Sequence, residues 1–476
     1  MSYEPVIGME VHIELDTASK MFCGCSPNIF GALPNTHVCP VCLGMPGTLP
    51  VINERAVRYT VMTGLALNCT TQRHNVFARK NYFYPDLPKG YQVSQYELPL
   101  CLDGFLDVVV DDQMRRVRVR RVHLEEDTGK LTHTGSASLV DCNRAGVPLM
   151  EIVSEADLQS ADEAYAYVSR LRQIVRYLGV SSGDMEKGAM RCEVNLSLRP
   201  VGSEEFGTKV EIKNLNSFRA VRNAIAHEVE RQTRLLEAGH TIYQVTMGWD
   251  ETAGVTREQR SKEEAHDYRY FPEPDLPPLE LDEVFIEEVR QALPELPDAK
   301  RDRFITDCQL SAYDADLLVE DRLVASYFEQ AVAVAAGRVS PKMIANWMTG
   351  ELFRLMNETG ASIADVQIEP GQLVALITQV VNNTINQTAA KKVLGRMWDT
   401  GRPAEAIIEE LGLRQISDPG QLIAVVDRVI ADNPGAVEQV MAGKEATMGF
   451  LIGQVMRETR GKANPQLVRQ LLQERM

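Results

Sequence analysis

The stretch GMEVHIEL, residues 8–15, sets Glu10, His12 and Glu14 in alternation with Val11, Ile13 and Leu15. Successive side chains of a strand point to opposite faces, so one face carries two carboxylates and an imidazole and the other is aliphatic. Three further stretches repeat the device. In VRVRRVHLEED, Arg121, His123 and Glu125 share a face, with Glu126 opposite beside Arg118 and Arg120. RCEVNLSLR alternates Glu193, Asn195, Ser197 and Arg199 with aliphatic residues, and VEIKNLN puts Glu211 and Lys213 together. The wet face of an antiparallel sheet explains any one such strand. Four carboxylate-bearing strands on one surface, however, repel one another unless cations intervene. Hard oxygen ligands with an imidazole suit Mg2+ or Mn2+, which bridge nucleotide phosphates. Pattern alone leaves the wet face and the metal–phosphate cradle both open, because it does not show that the strands are neighbours.

A second constellation is FCGCSPNIFGALPNTHVCPVCLG. Cys23 and Cys25 form C-x-C, a 13-residue gap follows, and Cys39 and Cys42 form C-x-x-C. Two close thiol pairs joined by a loop suit a tetrahedral structural zinc, and four cysteine ligands leave no open position for chemistry. Unrelated reduced cysteines are the alternative, and a redox C-x-x-C leaves the first pair unexplained. Cys69, Cys101, Cys142, Cys192 and Cys308 are scattered and read as small buried residues.

Other pieces are less specific. ARKNYFYPDLPKGYQVSQYELPL (78–100) combines Arg79, Lys80 and Lys89 with tyrosines, which suits stacking on a nucleotide or terminal base, or an ordered loop packed on a sheet. GDMEKGAMRCEVN (183–195) is a Gly-bracketed turn that brings Glu186, Lys187 and Arg191 near Glu193. TREQRSKEEAHDYRY (256–270) reads as a solvated helix face. No stretch matches the P-loop or the G-x-G-x-x-G fingerprint, so a nucleotide needs another cradle.

The elements that position these residues follow from periodicity. Residues 1–290 hold short alternating segments interrupted by helical patterns at 161–179 and 218–239, each ending at Gly, with Ser217 a cap for the second. YRYFPEPDLPPLEL (268–281) has four prolines and reads as extended chain. Beyond about residue 290 the pattern is helical, and a last block begins near 417, where Ser417 or Asp418 caps. The expected fold is α+β: an antiparallel-sheet cradle with flanking helices, then an α-helical C-terminal extension. The expected domains are 1–292 with the cysteine loop at 23–42, a helical domain at 293–410, and a small helical tail at 411–476.

Composition bounds the function. The chain has 476 residues, 44% hydrophobic and 24% charged, which is a multidomain globular protein. It has no apolar run long enough for a membrane helix and no signal-peptide pattern, so a cytoplasmic protein without membrane contact is expected. A net charge of −16 argues against broad attraction to nucleic acid. The tail is locally different: residues 433–476 carry six basic and four acidic residues, among them Lys444, Arg457, Arg460 and Lys462. Phe450, Leu451, Val455 and Met456 supply an apolar stripe. This module suits an RNA backbone, and equally an ordinary charged bundle.

Assembled in order, GMEVHIEL, PVCLGMPGTLPVIN, KNYFYPDLPKGYQ, HLEEDTGK, DCNRAGVPLMEIVSE, GDMEKGAMRCEVN, VEIKNLNSF and DYRYFPEPDLPP resemble the B subunits of tRNA-dependent Glu-tRNA(Gln)/Asp-tRNA(Asn) amidotransferases. GKEATMGFLIGQVMRETRGKANP resembles the C-terminal tRNA-binding module of that family. The resemblance implies a three-subunit enzyme with an amidase A subunit and a small C subunit. The amidase releases ammonia from glutamine; the B subunit uses ATP and Mg2+ to phosphorylate the carboxylate of Glu or Asp on tRNA(Gln) or tRNA(Asn), and ammonia then displaces phosphate. It further implies Glu10, His12, Glu125 and Glu211 as Mg2+ contacts, with Arg191, Glu193, Asn195 and Lys213 nearby; Glu193 stands where the family often has Asp. Lys80, Lys89 and Glu126 then line the ammonia path or contact phosphate, and the zinc is structural. Ser181-Ser182 is an isolated pair and no Cys/His pairing suggests a glutaminase, so ammonia is expected from the partner. The rival reading is a non-catalytic, zinc-stapled tRNA-binding scaffold, which leaves the four carboxylate-bearing strands unexplained.

Overall fold

The computed structural model describes residues 2–261, 268–415, 419–459 and 461–476. The expected caps Ser417 and Asp418, and Arg460 of the tail, lie outside the described residues. The chain divides into two compact units, Met1–Pro297 and Asp298–Met476.

The first unit is built on one mixed sheet. In chain order its strands are β1 (Tyr3–Glu14), β2 (Thr70–Thr71), β3 (Cys101–Val110), β4 (Gln113–Glu126), β5 (Pro148–Ser154), β6 (Met190–Pro200), β7 (Val210–Leu215), β8 (Val245–Asp250) and β9 (Val255–Ser261). In space they run β9-β8-β7-β6-β1-β5-β4-β3-β2. All pairs are antiparallel except β7 with β8. That parallel pair needs a crossover, and the helix Phe218–Glu237 lies in the connecting segment. The segment expected as a solvated helix face instead begins as β9, pairing along β8 at the sheet's edge; residues 262–267 of it lie outside the described residues.

Three helices cover the aliphatic face: α1 (Glu54–Ala66), α2 (Ala161–Leu178) and α3 (Phe218–Glu237). Ser217, the expected cap, accepts the Ala220 N–H, Gly179 ends α2 in the left-handed conformation as expected, and Ser160 caps α2 by accepting the Glu163 N–H. Ile7, Met9, Val11 and Ile13 of β1 join Val57, Val61, Val168, Leu171, Val221 and Ile225 in one core. Gly64 lets α1 approach the sheet: a Cβ there would stand 2.3 Å from Cys101 Sγ. The apolar half of each alternating strand is thus spent on the helices, which leaves the polar half facing the other way.

The second unit is helical, from Pro297–Cys308 through Pro465–Arg475. It has two separate cores, one among residues 304–408 and one among 422–472. Leu451 and Val455 are buried in the latter, whereas Phe450 of the expected stripe is 49% exposed.

Candidate active site and cysteine centre

Register brings the polar residues together. Antiparallel pairing sets His12 opposite Glu151 on one side and Arg191 on the other, Glu10 opposite Glu193, Glu151 opposite His123, and Asn195 opposite Glu211. The four strands read from sequence are close in space, with β5 intervening between β1 and β4.

Two groups result. In the first, ligand atoms of His12, Glu125 and Glu151 lie within 4.8 Å of one another. His12 Nε2 is 3.6 Å from Glu151 Oε2, and His123 Nε2 is 3.2 Å from both Glu125 Oε1 and Glu151 Oε2. The strand Tyr91–Ser94 fixes Glu125: Gln92 Nε2 donates to Oε2 at 3.0 Å and Ser94 Oγ to Oε1 at 2.6 Å. Burial alone would raise both carboxyls. The Lys80 ammonium, with His123, holds Glu125 below the usual range, and His123 and His12 hold Glu151 well below it. Burial also works against the charged form of His12, but Glu151, with Glu193 and Glu125 behind it, lifts that imidazole to about 9.

In the second group, carboxylate oxygens of Glu10, Glu193 and Glu211 lie within 4.8 Å of one another. Asn195 Nδ2 donates to Glu10 at 2.8 Å, Thr246 Oγ1 to Glu211 at 2.8 Å, and Lys213 Nζ is 2.8 Å from Glu193 and 3.9 Å from Glu211. Burial opposes the Lys213 charge, yet Glu193 and Glu211 raise its pKa. Lys213 is thus an ammonium set against two of the three carboxylates. Both donor sets, oxygens with one imidazole and oxygens alone, fit a hard divalent cation.

The set Glu10, His12, Glu125 and Glu211 is therefore divided between two groups, each completed by another glutamate. Glu193 was legible from alternation. Glu151 was not: β5 reads PLMEIVS and is buried at every position but Val153, so no alternation marks it. Its one signal is a lone carboxylate in an apolar run, which demands a buried partner.

Beyond His12 along β1, Glu14 is 3.9 Å from Arg191, whose guanidinium is 2.8 Å from the buried Asp127. Burial and the neighbouring Asp127 push the Glu14 carboxyl up to about 8. Glu14, Ser181, Lys187, Arg191, Glu193 and Asn214 line a cavity of about 990 Å³. Glu126 departs from its expected company. Arg118 and Arg120 pair at the exposed part of β4 with Asp157 and Glu155, at 2.6 and 2.8 Å. Glu126, at the covered end, pairs with Lys89 and accepts the Val93 N–H at 2.9 Å. Lys89, Glu126 and Cys42 line a second cavity of about 220 Å³. Of the tyrosine-rich loop, Tyr82 packs edge-on against Tyr268, and Lys80 Nζ lies 5.1 Å from the Tyr268 ring; Phe83 and Tyr84 are exposed.

All nine cysteines are free. The Sγ atoms of Cys23, Cys25, Cys39 and Cys42 lie within 4.8 Å of one another, with Cys39 and Cys42 3.9 Å apart. A tetrahedron with Zn–S bonds of about 2.3 Å has edges of about 3.8 Å, so the four thiols fit zinc. The Cys23 thiol outweighs burial and, with the Cys39 N–H and Lys20, brings the Cys42 thiol down to about 4. Cys69, Cys101 and Cys192 are buried as expected, but Cys142 and Cys308 are only half-buried. In the tail, Lys444 and Arg457 are exposed and Lys462 is half-buried.

Comparison with known proteins bears on the whole chain. Residues 5–287 match the family described as the GatB/GatE catalytic domain, and residues 326–476 match the GatB domain. The chain is 54% identical over 473 residues to the B subunit of the aspartyl/glutamyl-tRNA(Asn/Gln) amidotransferase of Thermodesulfovibrio yellowstonii, covering 99% of each. It is 52% identical to those of Persephonella marina, over 474 residues covering 100% of this chain and 99% of that one, and Geobacter sulfurreducens, over 481 residues covering 100% of each. With the catalytic-domain match enclosing every residue of both carboxylate groups and half of all positions shared from end to end, the chain belongs to the GatB family of amidotransferase B subunits.

Proposed function

We propose that this chain converts misacylated Glu-tRNA(Gln), Asp-tRNA(Asn) or both to the cognate Gln-tRNA or Asn-tRNA, as the ATP-dependent subunit of an amidotransferase. The observation that carries the reading is the pair of carboxylate-bearing groups on adjoining strands, His12/Glu125/Glu151 and Glu10/Glu193/Glu211, with Glu193 shared by the wall of the 990 Å³ cavity. A carboxylate oxygen is a poor leaving group. Transfer of the γ-phosphoryl of ATP to the side-chain carboxylate of the substrate releases ADP and makes one, and ammonia attacking the carbonyl carbon then expels phosphate and leaves the amide.

His12, Glu125 and Glu151, and Glu10, Glu193 and Glu211, are the residues that hold magnesium in this reading. The metal supplies neutralisation of phosphate charge and alignment of the reacting oxygens. Arg191 and Lys187 offer cationic groups to the phosphates or to the substrate carboxylate at the cavity wall. Lys89 and Glu126 face the smaller cavity, a route for ammonia, where the Lys89 ammonium and Glu126 carboxylate pair keep a proton donor and acceptor in reach. Lys80, half-buried near Glu125, keeps that carboxylate ionised. The four cysteines hold a structural zinc. The tail from 411 onward, with Lys444, Arg457 and Lys462, tracks tRNA, and a partner amidase with a small third subunit supplies ammonia. No described helix is long and apolar enough to cross a membrane.

The test is amidation by the complex of this chain with its amidase and small subunits, given Glu-tRNA(Gln) and Asp-tRNA(Asn) separately. ATP consumption that depends on aminoacyl-tRNA is expected. Absence of that dependence with both substrates leaves only the scaffold reading.

A further inference from the structure

Lys20 is 1% exposed and is the only buried lysine among the described residues. Its ammonium donates to His37 O at 2.8 Å and Cys142 O at 3.5 Å, and stands 3.7 Å from Cys42 Sγ. No Asp or Glu pairs with it among the described residues. A buried ammonium is costly unless an anion compensates it. Two carbonyls satisfy its hydrogen bonds without cancelling its charge, so among the described residues the anion that meets it is the Cys42 sulfur as thiolate.

The cysteine centre has the opposite problem. Four thiolates around one divalent zinc carry a net charge of −2, and Cys42 is the buried one of the four. The two anomalies resolve each other. We propose that Lys20 is the built-in counter-ion of the four-cysteine centre, its ammonium offsetting part of the excess negative charge at Cys42. This rests on the zinc reading of the cysteines and adds a residue to it. The placement also gives Lys20 a positioning role. His37 lies in the loop between the two thiol pairs, and Cys142 lies in the turn before β5, so one side chain ties the loop to the catalytic unit at the point where the metal needs charge. Groups just outside the ligand shell of a metal shift its affinity roughly 10- to 100-fold.

The experiment uses the full chain and three variants, Lys20→Arg, Lys20→Met and Lys20→Gln. Zinc content is measured, then the rate at which a chromophoric chelator extracts the metal, and then the sulfur-to-metal charge-transfer band after Co2+ substitution. The wild type is expected to hold about one zinc. Lys20→Met and Lys20→Gln are expected to release it at least about 10-fold faster with a displaced Co2+ band, and Lys20→Arg to stay close to wild type. Gln keeps a donor for the two carbonyls without the charge, so it separates counter-ion from staple, and it decides the question if Lys20→Met does not fold. Release from Lys20→Gln at the wild-type rate with an unshifted band overturns the proposal while the zinc reading stands. A wild-type chain that binds neither zinc nor Co2+ overturns both.

Discussion

Replacing Glu151 by Gln removes one negative charge from the first carboxylate group and leaves its shape almost unchanged. Glu151 faces His12 at 3.6 Å and His123 at 3.2 Å. At an effective dielectric constant near 20, each contact with a charged imidazole is worth about 5 kcal/mol before desolvation. An imidazole escapes that loss by shedding its proton, which caps the cost. For His12, raised from 6.5 to about 9, the cap on its stabilisation is about 3 kcal/mol below pH 6.5 and about 2 kcal/mol at pH 7.5. The sign follows from the upward shift: the stability is complete below the unfolded value and is lost as pH rises through about 9. Urea unfolding without added magnesium should therefore show Glu151→Gln destabilised by up to about 2 kcal/mol at pH 7.5, with the difference shrinking toward pH 9.5. Activity should suffer separately. Loss of one carboxylate ligand is expected to lower kcat/KM at limiting magnesium about 100-fold, equivalent to about 2.7 kcal/mol, and to move magnesium activation to higher concentration. The assay is a magnesium titration of amidation, with tRNA binding as control. A variant with wild-type magnesium dependence and an unchanged pH profile of stability refutes the assignment.

Three other outcomes are expected. Cys39→Ser with Cys42→Ser should lose the zinc, measured as metal per chain, and lower the unfolding temperature; retained metal rejects the centre. Gly64→Ala forces a Cβ to 2.3 Å from Cys101 Sγ and should cost about 1–3 kcal/mol in chemical denaturation, partly relieved by Cys101→Ala. Burial raises the Asp157 carboxyl, but Arg118, through its side chain and backbone N–H, outweighs that and holds it low, so its contribution is present above about pH 4 and fades as pH falls through the folded value. Asp157→Asn should cost about 1 kcal/mol at pH 7 and progressively less as pH falls below about 4, read from urea midpoints.

Much of the chemistry was legible because period-two alternation is a local property. GMEVHIEL, RCEVNLSLR and VEIKNLN each divide into an aliphatic and a polar half whatever their neighbours are, and the helices do bury the aliphatic half. Ser217 caps for an equally local reason, and the spacing of Cys23, Cys25, Cys39 and Cys42 allowed one centre before any fold was known.

Which carboxylates meet was decided only by the fold. Glu10 and His12 are two residues apart on one face, yet they serve different groups, because cross-strand register gives Glu10 to Glu193 and His12 to Glu151. Glu151 was invisible because a strand buried on both faces shows no alternation. Glu126 left its expected neighbours because β4 is long enough to run from solvent into cover, so period two predicts the face but not what lies above it. Local sequence determines the direction of a side chain relative to its own strand; for Glu10 and His12 the partner that gives a charge, a ligand or a pKa comes from chain more than a hundred residues away, through pairings that only the assembled sheet establishes.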